Sequence, residues 1–501
     1  MKESYSRIVD IRRRVFAEVA RIAYNDLDTS NFEDASYRLF PGEVAQFRES
    51  MFRERAIADE RIRLALGLPI RNIGVYKKIT DGFDKIDIDT NAYEKPLVNV
   101  IKFACESCPT RTIYVTDNCR RCMAHPCTNV CPVNAVKIGK HRAEIDHDKC
   151  VKCGRCKDTC PYHAIVDFDR PCSAACGVGA IGSDEYNRAE IDQDKCVACG
   201  RCISECPFGA IADKSQIYQV IKAIKAGKKL YAAVAPSFIG QFGLSTTPKQ
   251  VFEAIKELGF KDVIEVGLGA DLTTLHEAHE YLERVPEKIP FMGTSCCYSW
   301  SLMIKNMFPE LKEQISDSGS PMRYTAEYIK NIDPEAVVVF IGPCTSKKLE
   351  ALDTNIKSSV DFVLTFEELM GMFVAKDVEP MDIEIEDDVE DSSALGRGYP
   401  VAGGVAAAVK KVAEEIDPSR EILIEGANSL SECVKMLKVA KAGRKNGYLL
   451  EGMACPGGCI AGVGTIQSTT RVKKNVDQFM KNSKYKDPFE NENIKDYKFE
   501  D

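Results

Sequence analysis

The spacing of cysteines constrains this chain more than any other feature. Of its 22 cysteines, 16 lie between Cys105 and Cys206. Two runs repeat the pattern C-x2-C-x2-C-x3-C-P, at Cys150, Cys153, Cys156 and Cys160 and again at Cys196, Cys199, Cys202 and Cys206. Three close thiolates followed by a Cys-Pro pair are typical of 4Fe-4S ligation. A zinc ribbon is the alternative, but it needs only two C-x2-C pairs for each tetrahedral site, so the third close cysteine favours iron-sulfur clusters.

The repeated run resembles the two-cluster bacterial ferredoxins, in which the fourth cysteine of each run ligates the other cluster. The resemblance implies an α+β ferredoxin-like domain over residues 141–215. It also implies that the two runs exchange their last ligands. One cube would then be held by Cys150, Cys153, Cys156 and Cys206, and the other by Cys196, Cys199, Cys202 and Cys160.

Eight further cysteines extend the cluster region over residues 96–140 and 165–180. The segments HPCTNVCPVNAV and RPCSAACGVGAI are similar, so we interpret the outlying pairs as one motif with the ferredoxin run inserted in its middle. By pseudo-symmetry we expect one cube on Cys119, Cys122, Cys127 and Cys176 and another on Cys105, Cys108, Cys172 and Cys131. The N-terminal half would then hold two to four cubes. Inert buried thiols or a zinc site are the alternative for some of these eight, and Cys433 is expected to be a packing residue.

Three segments farther along carry five more cysteines. They are TSCCYSW at residues 294–300, PCTSKKLE at 343–350 and EGMACPGGCIAGVG at 451–464. Four of these thiolates could converge on one cluster, with one to spare, and soft thiolates select iron-sulfur clusters over hard cations. Glycines such as Gly457 and Gly458 let the backbone approach a bulky cofactor closely. The segments therefore predict a catalytic iron-sulfur centre.

At these three segments the sequence resembles the FeFe hydrogenases, and the resemblance covers roughly residues 100–470. It implies an H-cluster, which is a 4Fe-4S cube joined to a two-iron centre with carbonyl and cyanide ligands. The implied cube ligands are Cys297, Cys344, Cys455 and Cys459, and Cys459 would also bridge to the two-iron unit. The implied reaction is 2H⁺ + 2e⁻ ⇌ H₂, with electrons relayed through the N-terminal cubes.

The resemblance assigns roles to further side chains around this centre. Cys296 becomes the spare thiol that passes protons as a general acid and base. The other implied residues are Lys347, a donor to one cyanide; Ser237, beside the other cyanide; Met453, packed on the iron centre; and an outer proton relay of Glu277, Glu280, Ser316 and Arg284. Without the cysteine motifs, a Glu/Glu/Arg stripe would be interpreted as a solvated helix face.

Several residues around the predicted pocket depart from the common family pattern, namely Tyr298, Met322, Gly342 and Val463. These departures indicate a divergent branch similar to the group B enzymes. Two alternatives remain open: a hydrogen sensor, and a non-catalytic iron-sulfur electron-transfer or scaffold protein without the two-iron unit. Non-catalytic relatives are expected to lack the spare thiol and the cyanide-donating lysine, and this sequence has both.

The rest of the chain predicts three further regions. Residues 1–95 are charged and amphipathic, which predicts a helical cap or a docking surface. Over residues 216–470, apolar strands alternate with helices, which predicts an α/β catalytic domain with largely parallel sheets in two lobes around the cluster. The active-site segments follow strand ends, as expected for open sheets. Residues 471–501 form a charged C-terminal tail.

Composition narrows the cellular setting. We expect a cytoplasmic, anaerobic protein, because the start has no apolar signal region and no run of about 18 apolar residues occurs. A net charge of −8 with mixed signs gives no nucleic-acid footprint. The expected partners are a ferredoxin or another low-potential electron carrier and the maturases that build the H-cluster. The sequence leaves the oligomeric state open.

Overall fold

The computed structural model describes residues 6–26, 28–86, 95–243, 245–356, 358–385, 388–495 and 497. The N-terminal region is helical, with α1 Arg7–Tyr24, α2 Ser30–Glu33, α3 Ala35–Leu39 and α4 Met51–Ala65. Ser6 caps α1 by accepting a hydrogen bond from the amide of Ile8 at 3.3 Å. The apolar face of α1 packs on the catalytic domain, where Arg12 forms a buried ion pair with Glu367 at 2.5 Å.

The cluster region contains short strands and single-turn helices. They are β1 Val98–Val100, β2 Thr112–Val115, α5 Pro126–Asn129, β3 Val136–Ile138, β4 Ala143–Ile145, α6 Arg155–Asp158, β5 Ile165–Phe168, α7 Pro171–Ala174, β6 Ile181–Ser183, β7 Ala189–Ile191, α8 Arg201–Glu205 and β8 Ile211–Asp213. β2 pairs antiparallel with β5 around the β3–β4 hairpin. β1 pairs antiparallel with β8 around the β6–β7 hairpin.

This pairing produces two copies of one topology, one inside the other. The inner module spans residues 112–168, and the outer module is made of 98–108 and 171–213. The predicted ferredoxin domain over residues 141–215 therefore differs from the observed arrangement. The prediction treated the two identical cysteine runs as one unit, whereas strand pairing places one run in each module.

The catalytic domain alternates strands and helices. Its elements are α9 Ile217–Lys225, β9 Leu230–Val234, α10 Pro248–Glu257, β10 Asp262–Glu265, α11 Gly267–Arg284, β11 Met292–Gly293, α12 Tyr298–Met307, α13 Pro321–Ile332, β12 Val337–Gly342, α14 Ser346–Ala351, β13 Phe362–Thr365, α15 Phe366–Lys376, α16 Ala394–Gly398, α17 Gly404–Ile416, β14 Leu423–Ala427, α18 Leu430–Lys441, β15 Tyr448–Gly452 and α19 Thr469–Lys481. Short 3-10 turns occur at Phe83–Lys85, Lys102–Ala104, Pro236–Phe238, Pro309–Gln314, Pro380–Asp382, Cys459–Ala461 and Glu492–Ile494.

Two parallel sheets form the core of this domain, with strand orders β10-β9-β12-β13 and β11-β15-β14. Every residue of β9 is buried, as expected for a central strand covered by helices on both faces. Thr247 and Thr365 begin α10 and α15 with capping boxes. The predicted α/β class with parallel strands is confirmed. Among the described residues, no helix is long and apolar enough to cross a membrane.

Candidate metal centres

Four thiols of the catalytic domain converge from three loops that follow parallel strands. Cys297 lies after β11 and caps α12, and Cys344 lies between β12 and α14. Cys455 and Cys459 follow β15, and Cys459 begins a 3-10 turn. The carboxyl ends of β11 and β15 meet at one edge of their sheet. The loop after β12, in the other sheet, joins them because the amide of Gly464 donates to the carbonyl of Pro343 at 2.9 Å.

The electrostatics show that these sulfurs border one another. Burial raises the pKa of Cys344 to about 11, and the charge of Cys297 raises it further. Burial raises the pKa of Cys459 to about 12, followed by the charges of Cys344 and Cys297. Burial raises the pKa of Cys455 well above its usual value, followed by the charges of Cys344 and Cys459. Four thiolates this close repel one another in a buried site, so a bound cationic cluster would relieve both the repulsion and the desolvation.

These residues fit a bulky group because the protein encloses them without filling the space between them. Each of the four keeps intermediate accessibility although protein surrounds it, so the side chains face an internal space. Gly458 has a φ of +94°, and a Cβ there would lie 2.5 Å from the carbonyl oxygen of Pro400. Only glycine permits this loop to approach so closely.

Cys296 lies beside this site as a fifth thiol. It packs in a small apolar cluster with Met453, Tyr399 and Cys297, so Met453 contacts the surroundings of the thiol site. Burial raises the pKa of Cys296 far above its ordinary value, and the carboxylate of Glu277 and then Cys297 act in the same direction. The thiol is therefore protonated at neutral pH.

Lys347 lies between the cluster loop and the loop of the spare thiol. Its ammonium donates to the carbonyl oxygen of Cys296 at 3.1 Å and to Glu350 Oε2 at 2.6 Å. Burial works against its charge, but the Glu350 carboxylate and then Cys344 raise its pKa. The cation is thus fixed at the pocket wall.

Ser237 follows the central strand β9, in the 3-10 turn Pro236–Phe238. Ala235, just before this turn, is bound to the neighbouring strand β12, because its amide donates to the carbonyl of Ile341 at 2.9 Å. The hydroxyl of Ser237 is completely buried and has no hydrogen-bond partner among the described residues. A buried polar atom without a partner is rare in native proteins and is consistent with a ligand at this position.

The predicted proton relay lies along one side of α11. Glu277 Oε1 accepts from the amide of Ser295 at 2.6 Å, and Oε2 is buried without a partner among the described residues. Ser316 Oγ donates to Glu280 Oε2 at 2.5 Å. Arg284 donates to the other oxygen of Glu280 and also to the carbonyl of Glu313, near the surface. Burial raises the pKa of Glu277 to about 8 and also raises that of Glu280.

Sequence reasoning missed Tyr399, which lies directly after α16. Its hydroxyl shares a hydrogen bond of 2.7 Å with Thr274 Oγ1 in the interior. Burial raises its pKa well above the usual value, and the negative charge of Glu277 acts in the same direction. No spacing pattern could have pointed to Tyr399, because its place depends on how the α16–α17 turn packs on α11.

The N-terminal cysteines form four groups, two in each module. In the inner module, one cavity is lined by Cys119, Cys122, Cys127 and Cys160. Cys131 joins the run Cys150, Cys153 and Cys156, since its charge acts on Cys156. In the outer module, one cavity is lined by Cys105, Cys108, Cys172 and Cys206. Cys176 joins Cys196, Cys199 and Cys202.

The predicted pairings across these groups were wrong. Cys206 lies with Cys172 and not with Cys150, and Cys160 lies with Cys127 and not with Cys196. Likewise Cys131 lies with Cys156 and not with Cys105, and Cys176 lies with Cys202 and not with Cys119. The exchange of fourth ligands does occur, but within each module, because only strands of one module pair with each other.

Zinc fits these groups poorly. Zinc-sulfur bonds of 2.3 Å in a tetrahedron place sulfurs about 3.8 Å apart. Among the described residues, no three cysteine sulfurs lie within 4.8 Å of one another. These groups are therefore not preformed for tetrahedral zinc.

The outer module contacts the catalytic site directly. Thr345 Oγ1 donates to the carbonyl of Ala198 at 2.6 Å, and Ser346 Oγ donates to the carbonyl of Val197 at 3.1 Å. Burial raises the pKa of Cys199 to about 12, and Cys344 is among the charges that raise it further. The Cys176/Cys196/Cys199/Cys202 group is therefore adjacent to the catalytic thiols.

Comparison with known proteins shows which families this chain resembles. A family profile described as "Iron only hydrogenase large subunit, C-terminal domain" matches residues 228–463, and one described as "LdpA Fe-S cluster-binding domain" matches residues 118–169 and 166–217. Iron hydrogenase 1 of Clostridium pasteurianum is 30% identical over 390 residues, which cover 66% of this chain and 66% of that protein. The periplasmic Fe hydrogenase large subunit of Nitratidesulfovibrio vulgaris is 31% identical over 379 residues, which cover 65% of this chain and 86% of that protein.

Other similarities are more partial. The cytosolic Fe-S cluster assembly factor NAR1 of Candida dubliniensis is 31% identical over 140 residues, which cover 24% of each chain. A solved structure of FeFe hydrogenase HydA1 from Chlamydomonas reinhardtii covers 56% of this chain and 93% of that one, with 22% identity and a TM-score of 0.47.

A parallel α/β domain that gathers four thiols around an internal space, joined to two ferredoxin-like modules, defines an iron-sulfur protein. Given the identity shared with the Nitratidesulfovibrio large subunit over most of that protein's length, the chain belongs to the iron-only, or FeFe, hydrogenase family. It is a divergent member of that family.

Proposed function

We propose that this protein is an FeFe hydrogenase that catalyses 2H⁺ + 2e⁻ ⇌ H₂ at the four-thiol site. The supporting observation is Cys296, a fifth thiol that no single cube requires as a ligand. It is protonated, enclosed and next to a buried carboxyl group, Glu277. A thiol at this position suits a proton donor at a reacting centre.

The chain's residues fit an H-cluster: Cys297, Cys344, Cys455 and Cys459 would hold it, and Lys347 and Ser237 would donate hydrogen bonds to its cyanides. When bound, the H-cluster supplies redox-active iron with an open position for proton reduction. Lys347 places a fixed positive charge at the wall of this pocket. Because soft thiolates suit iron-sulfur clusters, the ligand set agrees with this cofactor.

The proton path in this proposal uses groups whose burial adjusts their acidity. Cys296 holds a proton beside the reaction site, and Glu277, with a pKa of about 8, exchanges protons near neutral pH. Ser316 and Glu280 continue the path, and Arg284 holds Glu280 at the surface end. Charge interactions connect Cys296 with Glu277 and Glu277 with Glu280, and a hydrogen bond connects Glu280 with Ser316.

Electrons enter in this proposal through four 4Fe-4S cubes, one at each N-terminal cysteine group. The inner module is positively charged, with nine Lys and Arg against six Asp and Glu over residues 112–168, whereas the whole chain carries −8. We therefore place the docking face for an acidic, low-potential carrier such as a ferredoxin on this module. The setting is the cytoplasm, where maturases would load the two-iron unit.

The second candidate is a cluster-carrying or cluster-assembly protein. The similarity to NAR1, a cytosolic Fe-S cluster assembly factor, favours it. Infrared spectra after co-expression with the maturases separate the two. We expect bands of iron-bound carbonyl and cyanide, together with H₂ evolution from a reduced low-potential dye. Full cubes without these bands, while a known hydrogenase is matured in parallel, would reject the hydrogenase proposal. Bands with very slow turnover would favour a hydrogen sensor.

A further inference from the structure

We infer that Arg61 and Arg170 are potential-setting residues. They raise the reduction potential of the cube held by Cys105, Cys108, Cys172 and Cys206 above the potentials of the other N-terminal cubes. The inference rests on the cluster assignment within the proposed function and does not depend on H₂ turnover. It also gives the N-terminal region a role in electron transfer.

Arg61 belongs to α4, which covers this cavity from the N-terminal region. Ile57 and Leu64 of the same helix pack against Cys206 and Ala210. The guanidinium of Arg61 is buried and donates to the carbonyl of Gly209. That loop carries the ligand itself, since the amide of Gly209 donates to the carbonyl of Cys206 at 3.1 Å.

Arg170 approaches the same cavity from the opposite side and lines it. It is 2% exposed, and it donates to the carbonyls of Cys108 at 2.6 Å, Gly182 at 2.8 Å and Asn187 at 2.8 Å. Its positive charge counteracts the rise in the pKa of Cys172 that burial causes. Cys108 and Arg170 lie where the chain leaves and re-enters the outer module, so this cube borders the inner module.

Neither arginine has a carboxylate within ion-pair distance among the described residues, in contrast to their neighbours. Arg12 is paired with Glu367, and Arg48 is paired with Glu106 at 2.9 Å. The Nε atom of Arg61 even lacks a hydrogen-bond partner among the described residues. Burial lowers the pKa of Arg61 to about 10, which still leaves it charged at neutral pH.

Buried charges in proteins are normally paired, so two cations without a carboxylate partner near one cavity favour a negative group inside it. A cube held by four thiolates is such a group, and it gains a further negative charge when reduced. Because charges interact strongly in a buried site, both arginines stabilise the reduced cube more than the oxidised cube. The result is a higher reduction potential for this cube than for the other N-terminal cubes. Electrons that pass from the inner module are therefore held at this cube before they reach the second cube of the outer module.

Glu106 places a negative charge at the same cavity, so its removal should shift the reduction potential in the opposite direction. It also lines the cavity, but it is shared between Arg48 at 2.9 Å and Arg53 at 2.7 Å. Its removal adds net positive charge at the cavity. The potential of this cube should therefore rise in Glu106→Gln and fall in Arg61→Met and Arg170→Met.

The experiment is an EPR-monitored redox titration of the full chain with reconstituted cubes and without the two-iron unit. The signal of this cube is identified as the one that Cys206→Ala removes. In Arg61→Met and in Arg170→Met, we expect its reduction equilibrium constant to fall about tenfold, which corresponds to 59 mV for one electron. Arg61→Lys should keep the wild-type value. Arg55→Met is the matched control on the same helix, because its guanidinium donates only to the carbonyls of Phe40 and Gly42 among the described residues.

A merely structural role for Arg61 would change the iron content or the stability without moving this one potential. If Arg61→Met does not assemble the cube, Glu106→Gln and Arg170→Met still decide the question through opposite shifts. Unchanged midpoints in variants with full iron content, or an equal shift of all signals, would overturn the inference.

Discussion

Lys347 donates a hydrogen bond to the backbone carbonyl of Cys296 at 3.1 Å, although the two residues belong to different cysteine motifs. The contact ties helix α14, which follows Cys344, to the loop that precedes Cys297. One cation therefore fixes the spare thiol relative to two of the four catalytic thiols. The spare thiol is held in position by the same structure that holds the cluster ligands.

Replacing Cys296 by alanine should abolish at least 99% of H₂ evolution while the iron content stays at the wild-type level. The thiol is the only group in the proposed path between the reaction site and Glu277. The assay is H₂ production from a reduced dye after maturation. Cys433→Ala is the control, because Cys433 is also a buried thiol but donates weakly to backbone carbonyls, such as that of Met453 at 3.8 Å. Equal activities of wild type and Cys296→Ala would exclude the shuttle role.

Glu277 should make the protein less stable as the pH rises. Its folded-state pKa of about 8 lies above the ordinary value of 4.5, mainly because of burial. The native state therefore holds a proton that the unfolded state has released, so stability is fully present below pH 4.5 and falls as the pH rises to about 8. The loss from this one group is at most about 1.4 kcal/mol per pH unit.

Glu277→Gln removes that dependence while it preserves the side-chain shape. Chemical denaturation of both proteins at pH 5.5, 7 and 8.5 measures the effect. We expect the variant to gain stability relative to wild type as the pH increases. A constant difference between the two proteins over this range would show that Glu277 does not titrate there.

Carrier docking should depend on the basic face of the inner module. Arg120 and Arg121 border the cavity of the Cys119/Cys122/Cys127/Cys160 group. The double change Arg120→Glu and Arg121→Glu should raise the KM for a reduced ferredoxin about tenfold at low salt and leave kcat nearly unchanged, since complementary charge mainly steers encounter. Activity with a small neutral dye should not change. Lys473→Glu with Lys474→Glu, on exposed positions of α19, is the charge-matched control.

The types of ligands could be predicted from the sequence because cysteine spacing is a local property. The three cysteine segments of the catalytic domain could also be recognised from the sequence, since each of them follows a short apolar strand. Helical spacing also predicted that Glu277, Glu280 and Arg284 share one side of α11, and the structure agrees. Each of these features depends on residues close together in the chain.

The grouping of the N-terminal cysteines could not be predicted in this way. The runs that begin at Cys150 and Cys196 are nearly identical, so they looked like two halves of one ferredoxin. Strand pairing decides otherwise, because β2 pairs with β5 and β1 pairs with β8. These strands are only three or four residues long, and their pairing depends on contacts that are distant in the sequence.

Double cysteine variants test the observed grouping against the predicted one. Cys172 and Cys206 line one cavity, whereas Cys150 belongs to a separate group. If ligands of one cube are removed together, only that cube is lost, so Cys172→Ala with Cys206→Ala should lower the iron content by about four atoms per chain. Cys150→Ala with Cys206→Ala removes ligands from two cubes and should lower it by about eight. Iron and sulfide analysis, with EPR spin counting on the reduced proteins, measures the difference. The reverse result would favour the pairing of Cys206 with Cys150, since the pair would then serve a single cube.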